Sequence, residues 1–379
     1  MKAILMTAPG APEVLNLADV PAPAITQATD LLVRLKAAGV NPIDTKLRSK
    51  GTYFPERMPA ILGCDGAGVV EAVGAGASRF KPGDAVYFCN GGIGGHPGNY
   101  AEYAVVDERF AARKPESLDF NQAAAAPLVL ITAWEALYDR ARMTAGQTVL
   151  VHAGAGGAGH VAIQLAKTAG CRVLTTVGSA DKAAFVKELG ADEAILYRDT
   201  DFAQAVLELT GGQGADIVFD TVGGATFQAS FAAARAYGDL VTLLQPGPET
   251  DWKLARLRNL RVAQELMLSP MVYGWVEAQR HQAWILEQCA ALFDANKLRI
   301  EVNNVLPLED AAEAASWCWP SAEPYTTLKL AGPGTKRFVP GPLCLDARHP
   351  CDGAVEYSVT TMTEIYLSSN CNPPEIFAA

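Results

Sequence analysis

The sequence predicts an α/β fold, with a doubly wound parallel sheet preceded by a smaller β-rich domain. Three observations predict it. An apolar run, Val149-Leu150-Val151, leads into glycines at 154, 156 and 159 and then into an amphipathic stretch over 161–167. Short apolar runs then alternate with helix-period segments as far as Leu244. Before residue 121, Gly, Pro and β-branched residues dominate and helical periodicity is poor.

The glycine turn comes first because its spacing, G-x-G-x-x-G, has a physical reading. Gly154 permits a tight turn, Gly156 lets backbone approach a pyrophosphate, and Gly159 lets the new helix pack on the strand. The helix start, through Gly157, Ala158 and Gly159, offers free N–H groups and a positive dipole end to phosphates. A dinucleotide site is therefore expected here. Residues 172–177 read as the second strand and 181–189 as a helix stopped by Gly190. Residues 194–197 read as the third strand, and 202–209 as a helix ending at Gly211-Gly212. Residues 216–220 read as the fourth strand, 227–235 as a helix, and 239–244 as the fifth strand, whose tip, Leu244, faces the cofactor.

The second strand decides which dinucleotide. An NAD site usually places an acid at its tip, against the ribose 2′-hydroxyl. Here the strand runs out at Val177-Gly178-Ser179-Ala180, and Asp181 fits the first turn of the next helix. Ser179 and Lys182 lie at the tip, and Tyr197-Arg198 ends the third strand. A 2′-phosphate would meet hydroxyls and cations there, which favours NADP(H). The plainer alternative leaves Lys182 and Arg198 as solvated surface charges.

Composition narrows the class. With 379 residues, two domains are expected; half the residues are hydrophobic and the net charge is −10, which argues against a nucleic-acid partner. The basic run Lys253, Arg256, Arg258 and Arg261 reads as a solvated helix face. The apolar run after Lys2 is too short for a secretion signal, and residues 123–134 are too short to span a bilayer and are interrupted by Pro127. No membrane partner and a cytoplasmic location are expected. Cys64, Cys89, Cys171 and Cys289 are scattered without a C-x-x-C pair, which suits neither a zinc ribbon nor a disulfide framework.

In the first domain, residues 31–36, 68–73, 85–88 and 100–106 read as strands. Lys81-Pro82-Gly83-Asp84 reads as a type II turn. Residues 121–142 read as a helical bridge into the nucleotide fold.

These stretches carry a resemblance. GVNPIDTKLRSKGTY (39–53), GCDGAGVVEAVG (63–74), FKPGDAVYF (80–88), NYAEYAVV (99–106), ITAWEAL (131–137) and the glycine turn occur in the order found in medium-chain dehydrogenase/reductases. The chain resembles their zinc-free quinone oxidoreductase, ζ-crystallin-like branch over about residues 1 to 315. The resemblance implies a Rossmann-type domain at 126–262 and a GroES-like catalytic domain formed by 1–125 and 263–330. It leaves 331–379 as an atypical, loosely ordered tail.

Zinc-dependent relatives place a Cys after the Gly-Val turn and a His-Glu pair after the next glycine. Here those positions hold Asn41 and Cys64-Asp65, so no metal is expected. His96 sits in a glycine-rich loop and reads as exposed; Cys64 reads as packed. Without a Lewis acid, hydride can still pass from NADPH to a small-molecule acceptor with its own electron sink, a quinone or an α,β-unsaturated carbonyl. By resemblance, Asn41 and Asp44 lie at the nicotinamide cleft, Tyr53 reaches in from the following loop, and Thr132 contacts the cofactor near its ribose. Tyr53 is the expected hydrogen-bond or proton donor, or else packs against the cofactor; Asp44 is catalytic or a structural cap. Two other readings stay open: a low-turnover NADPH-binding protein that accumulates for a structural role, and a zinc-dependent alcohol dehydrogenase.

The C-terminal part departs from the family after Ser316, as if the reading frame changed. Residues 326–330 (TTLKL) are placed to imitate the strand that returns to the first domain. The resemblance further implies a homodimer formed edge to edge through the last strand of the nucleotide domain, about residues 260–268, with Ala263→Pro as the substitution expected to give monomers.

Overall fold

Inward-facing apolar side chains build three sheets in the computed structural model, which describes residues 1–317 and 326–330. Strands β1 (Lys2–Met6) and β2 (Leu15–Asp19) pair as an antiparallel hairpin. The largest sheet begins with β3 (Asp30–Val40), β4 (Asp65–Val73), β5 (Ala85–Cys89), β6 (Tyr103–Asp107) and β7 (Ala112–Arg113). β3 is its spine, antiparallel to both β4 and β6. Leu31, Val33 and Leu35 alternate into the core, and Ala37 and Ala38 bury both faces where the strand runs under its neighbours. Helix α1 (Pro42–Lys50) leaves the end of β3.

The bridge to the second sheet is broken where the chemistry requires it. Pro127 has no N–H for a helical ladder, so α2 (Phe120–Ala125) stops before it and α3 (Pro127–Trp134) starts on it. A π-helical turn, Glu135–Arg140, follows. The expected single helix over 121–142 is thus three elements.

The second sheet is parallel. Its strands are β8 (Thr148–Val151), β9 (Arg172–Val177), β10 (Glu193–Leu196), β11 (Ala215–Asp220), β12 (Ala234–Thr242) and β13 (Arg261–Gln264). Their spatial order is β10-β9-β8-β11-β12-β13. Chain direction across the sheet reverses between β8 and β11, which opens a crevice at the carboxyl ends of those strands. Helices α4 (Gly157–Thr168), α5 (Ala180–Glu188), α6 (Phe202–Leu209) and α7 (Gly224–Ala233) connect the strands. The α7 helix ends two residues earlier than the period suggests, because Ala234 already pairs with Ala215.

After β12 come α8 (Lys253–Leu257), then β13, α9 (Ser269–Tyr273) and α10 (Val276–Asp294). The expected strand over 260–268 is confined to Arg261–Gln264, since the chain turns inward at Met267 and Leu268 and enters a helix at Ser269-Pro270. Glu265 N–H still donates to the Thr242 carbonyl. In a parallel strand, alternate residues bond the same neighbour. Ala263 N–H therefore faces β12, and the free edge is presented by Val262 and Gln264. Ala263→Pro would break the inner ladder, so Gln264→Pro is the proper probe of that edge.

The chain then returns to the first sheet through β14 (Asn304–Pro307), α11 (Ala311–Trp317) and β15 (Thr326–Lys329). β15 lies between β14 and β3, with Thr326 opposite Val40, and Leu328 fully buried. Residues 326–330 thus fill the returning-strand position despite the changed sequence, because strand pairing asks only for an apolar inward face and free backbone. The tail expected at 331–379 lies outside the described residues. Among the described residues, no helix is long and apolar enough to cross a membrane.

Candidate active site

The crevice between β8 and β11 is lined by backbone before side chains. A Cβ at Gly159 would stand on the Ala153 carbonyl oxygen and 2.8 Å from Gly154 Cα. One at Gly154 would strike the Thr175 hydroxyl and come 2.9 Å from Ile163. Both glycines are required by packing. Gly156 differs: its added Cβ would meet only the Ala153 oxygen, at 3.1 Å, and would otherwise project into open space. Gly156 caps α4, a twelve-residue helix. The first-turn amides of Gly157 and Ala158 have no partner in the helical ladder and are partly exposed.

Two buried histidines stiffen this turn. His160 donates from Nδ1 toward the Gly156 and Gly157 carbonyls, at 3.1 and 2.7 Å. His152 lies 2.9 Å from Ser230 through Nε2 and 3.1 Å from Thr176 through Nδ1. Ser230 already donates to the Thr226 carbonyl, so His152 Nε2 carries the proton and Nδ1 accepts from Thr176. Burial pushes each histidine down to about 4, so both are neutral struts at neutral pH.

The opposite lip is held by Asp220, at the tip of β11. Its carboxylate accepts the N–H groups of Val222 and Gly223, each at 3.0 Å, and the Thr242 hydroxyl at 2.8 Å. Thr242 in turn accepts Leu244 N–H at 3.2 Å, and Leu244 packs over Gly223. Asp220 escaped sequence reasoning; an acid at a strand tip followed by Gly223-Gly224 was the available signal.

At the tip of β9, Ser179 is the N-cap of α5 and accepts Lys182 N–H at 3.4 Å, which leaves its hydroxyl proton free. Lys182 forms no ion pair among the described residues, whereas neighbouring Lys167 and Lys187 are each paired with an acid. Tyr197 is 50% exposed and its hydroxyl lies along Gly178.

Asn41, Asp44 and Thr132 meet in one buried network centred on Asp65. Asn41 Nδ2 donates to Asp65 Oδ2 at 3.0 Å, and Leu128 N–H donates to Asp65 Oδ1 at 3.0 Å. Thr132 donates to the Leu128 carbonyl at 2.7 Å, one turn along α3. Asp44 is the third residue of α1; its Oδ2 accepts Asn41 N–H at 2.8 Å and the Tyr100 hydroxyl at 2.9 Å. Burial, opposed by these donors, raises Asp44 to about 6 and Asp65 to about 7, the neighbouring Asp44 charge adding to the latter. Asn41 Oδ1 is buried with no hydrogen-bond partner among the described residues. In the sequence Asp65 stands only where a zinc-dependent relative would place a ligand; the fold makes it the hub of this network.

Tyr53 stands apart, 41% exposed at the rim. Burial, with Cys64 and Tyr273 beside it, pushes its hydroxyl up, so it remains protonated at neutral pH. Tyr273, from α9, stacks on Trp275 with ring centroids 5.0 Å apart. The 45–54 and 267–275 segments therefore face one another. Cys64 and Cys89 are both buried, and His96 is exposed.

Comparison with known proteins gives the following. Residues 27–116 match the alcohol dehydrogenase GroES-like domain, and residues 157–275 the zinc-binding dehydrogenase family. A quinone oxidoreductase of Pseudomonas aeruginosa is 35% identical over 314 residues, 83% of this chain and 94% of that protein. The crystal structure of an alcohol dehydrogenase superfamily protein from Novosphingobium aromaticivorans superposes with a TM-score of 0.80 at 33% identity, covering 87% of this chain and 100% of that one. That of Escherichia coli quinone oxidoreductase complexed with NADPH superposes with a TM-score of 0.76 at 28% identity, over 87% of this chain and 100% of that one.

Proposed function

Because this chain belongs to the medium-chain dehydrogenase/reductase superfamily, in its quinone oxidoreductase branch, we propose that it passes a hydride from NADPH to quinones or α,β-unsaturated carbonyls without zinc. The observation that carries this reading is the direct Asn41–Asp65 hydrogen bond. Where a catalytic zinc would need about three donors, the amide and the carboxyl satisfy each other. Among the described residues, no group of three or more His, Cys, Asp or Glu side chains converges as a ligand set.

The residues fit the cofactor. Open space beside Gly156 and the free amides of Gly157 and Ala158 suit a pyrophosphate. Ser179, Lys182 and Tyr197 suit a 2′-phosphate, and Asn41 Oδ1 is a buried acceptor left for a ligand donor. When bound, NADPH supplies the hydride. Thr132 and Asn41 line the nicotinamide side, with Asp44 holding Asn41 in place. Tyr53, protonated at the rim, donates a hydrogen bond to the oxygen of the acceptor as charge develops there. Conjugation in the acceptor takes the place of a Lewis acid.

The test is NADPH consumption against ortho-quinones, enones and an alcohol in parallel, with and without a chelator. Turnover of quinones or enones that a chelator leaves unchanged is the expected result. Alcohol oxidation lost on chelation, or no turnover at all with tight NADPH binding, would instead support the zinc-enzyme or the low-turnover reading. For the cofactor, NADPH is expected to bind more tightly than NADH, and Lys182→Glu to erode that preference by about tenfold or more, since it replaces a partly screened attraction with a repulsion. Fluorescence titration giving equal dissociation constants for the two cofactors in the unmodified protein would refute the NADP(H) assignment.

We further infer a homodimer through the β13 edge. Among the described residues, the backbone of Val262 and Gln264 is unpaired along a short edge, which a second copy can cover. Gln264→Pro is expected to shift light-scattering mass from dimer to monomer. A monomeric unmodified protein would rule the dimer out.

A further inference from the structure

At the root of the segment that carries Tyr273 lies a second carboxyl pair with no part in the chemistry above. Glu135 opens the π-helical turn and Glu265 follows β13; they are 7% and 3% exposed. The two carboxyls are within hydrogen-bonding reach of each other. Arg140, from the same turn, donates to Glu265 Oε2 at 2.7 Å. Gln282, from α10, donates to Glu135 Oε1 at 3.1 Å and to the Met267 carbonyl at 2.7 Å. One site thus joins the π turn, the end of β13, the start of the 266–275 segment and α10. Beside it in sequence, Asp139 and His281 bond each other at 2.9 Å on the exposed side.

Two buried carboxylates in contact cannot both ionise cheaply. Arg140 bonds Glu265, so Glu135 is the member that holds the proton. Burial first, and then the Glu265 charge, push Glu135 up to about 9. At neutral pH, Glu135 therefore donates its proton to Glu265, while its other oxygen accepts from Gln282. A π turn costs backbone energy, and such turns often mark functional sites; here it aims Glu135 at the root of the segment that carries Tyr273.

We propose that the proton shared by Glu135 and Glu265 fixes the 266–275 segment, and Tyr273 with it, as a wall of the acceptor pocket, so that acceptor binding loosens when that proton is lost; this rests on the acceptor reading above. Glu135 and Gln282 are then positioning residues, acting through backbone rather than touching the acceptor.

Glu135→Gln separates this from plain structural support, since its amide donates to Glu265 and accepts from Gln282 without titrating. In the unmodified protein, the KM for a quinone should rise about fivefold as pH passes from about 7 to about 10, with the KM for NADPH steady. Hydrogen exchange of the 266–275 peptide, corrected for the intrinsic pH effect, should quicken over the same range. Glu135→Gln should hold both readings level. Exchange that is flat with pH in the unmodified protein, or profiles that run parallel in the two proteins, would overturn the proposal. If no acceptor is turned over, the acceptor reading fails by itself, and the exchange profile still decides whether the acid pair fixes the segment.

Discussion

Gly159→Ala is expected to abolish measurable NADPH binding and to lower thermal stability, whereas Gly156→Ala should weaken binding alone. The two glycines belong to one motif, yet their surroundings differ. A methyl group at 159 meets the Ala153 carbonyl and Gly154 Cα, both backbone, so the helix must lift from the strand. Overpacking of this kind costs about 1–3 kcal/mol and displaces the amides that face the phosphates. A loss of NADPH affinity above about a hundredfold, or ~2.7 kcal/mol, is expected. At 156 the backbone is extended, with φ −84° and ψ 179°, which alanine adopts freely. The only neighbour of the new methyl is 3.1 Å away, and its remaining surroundings are the space assigned to the pyrophosphate. Gly156→Ala should therefore melt within about a degree of the parent and bind NADPH about ten- to a hundredfold more weakly. Differential scanning fluorimetry and fluorescence titration read the two effects separately. Unchanged affinity in Gly156→Ala would remove the pyrophosphate from that space.

Asp65→Ala is the second large effect. It leaves Asn41 Nδ2 buried, and Leu128 N–H part-buried, without an acceptor. Each unsatisfied donor costs roughly 1–3 kcal/mol, so a loss of about 2–6 kcal/mol is expected. That corresponds to a fall in Tm of roughly 3–8 °C for a chain of this size. Asp65→Asn should cost much less, because its oxygen can still accept and its amide can donate to Asn41 Oδ1 once the Asn41 amide turns over. The two variants also differ from the parent in pH dependence. Asp65 is raised to about 7 from 3.8, so the folded protein keeps a proton that the unfolded chain gives up. Its contribution is complete below about 3.8 and is lost as pH rises through about 7. The parent should therefore lose stability relative to Asp65→Asn between those values. His152 and His160, lowered to about 4, act in the opposite direction, gaining stability as pH rises from about 4 to about 6.5. The difference between parent and variant isolates Asp65, since both histidines are present in each. A pH-independent difference would mean that Asp65 is ionised throughout.

Much of this molecule was legible from local pattern. The glycine spacing, the alternation of β9, β10, β11 and β12 with their helices, and the type II turn with Gly83 at φ +94° depend on residues near in sequence, so period and turn chemistry reveal them. The absence of an acid at the β9 tip is equally local. What only the tertiary structure decided depends on residues far apart in the chain. Asp65 became a hub because antiparallel pairing of β3 with β4 brings it beside Asn41, 24 positions away, and because α3 starts against it. The facing of Tyr53 and Tyr273 joins two segments more than two hundred residues apart. The outward donors of β13 were fixed by its register with β12, where a one-residue error exchanges inner for outer bonds. Residues 326–330 took the returning strand because β3 offered an unpaired edge, a property of the sheet and not of the pentapeptide. Local chemistry in the sequence determines which elements form and which cofactor phosphates they can hold. Long-range packing decides which buried polar groups meet, because their desolvation is tolerated only where the fold supplies a partner.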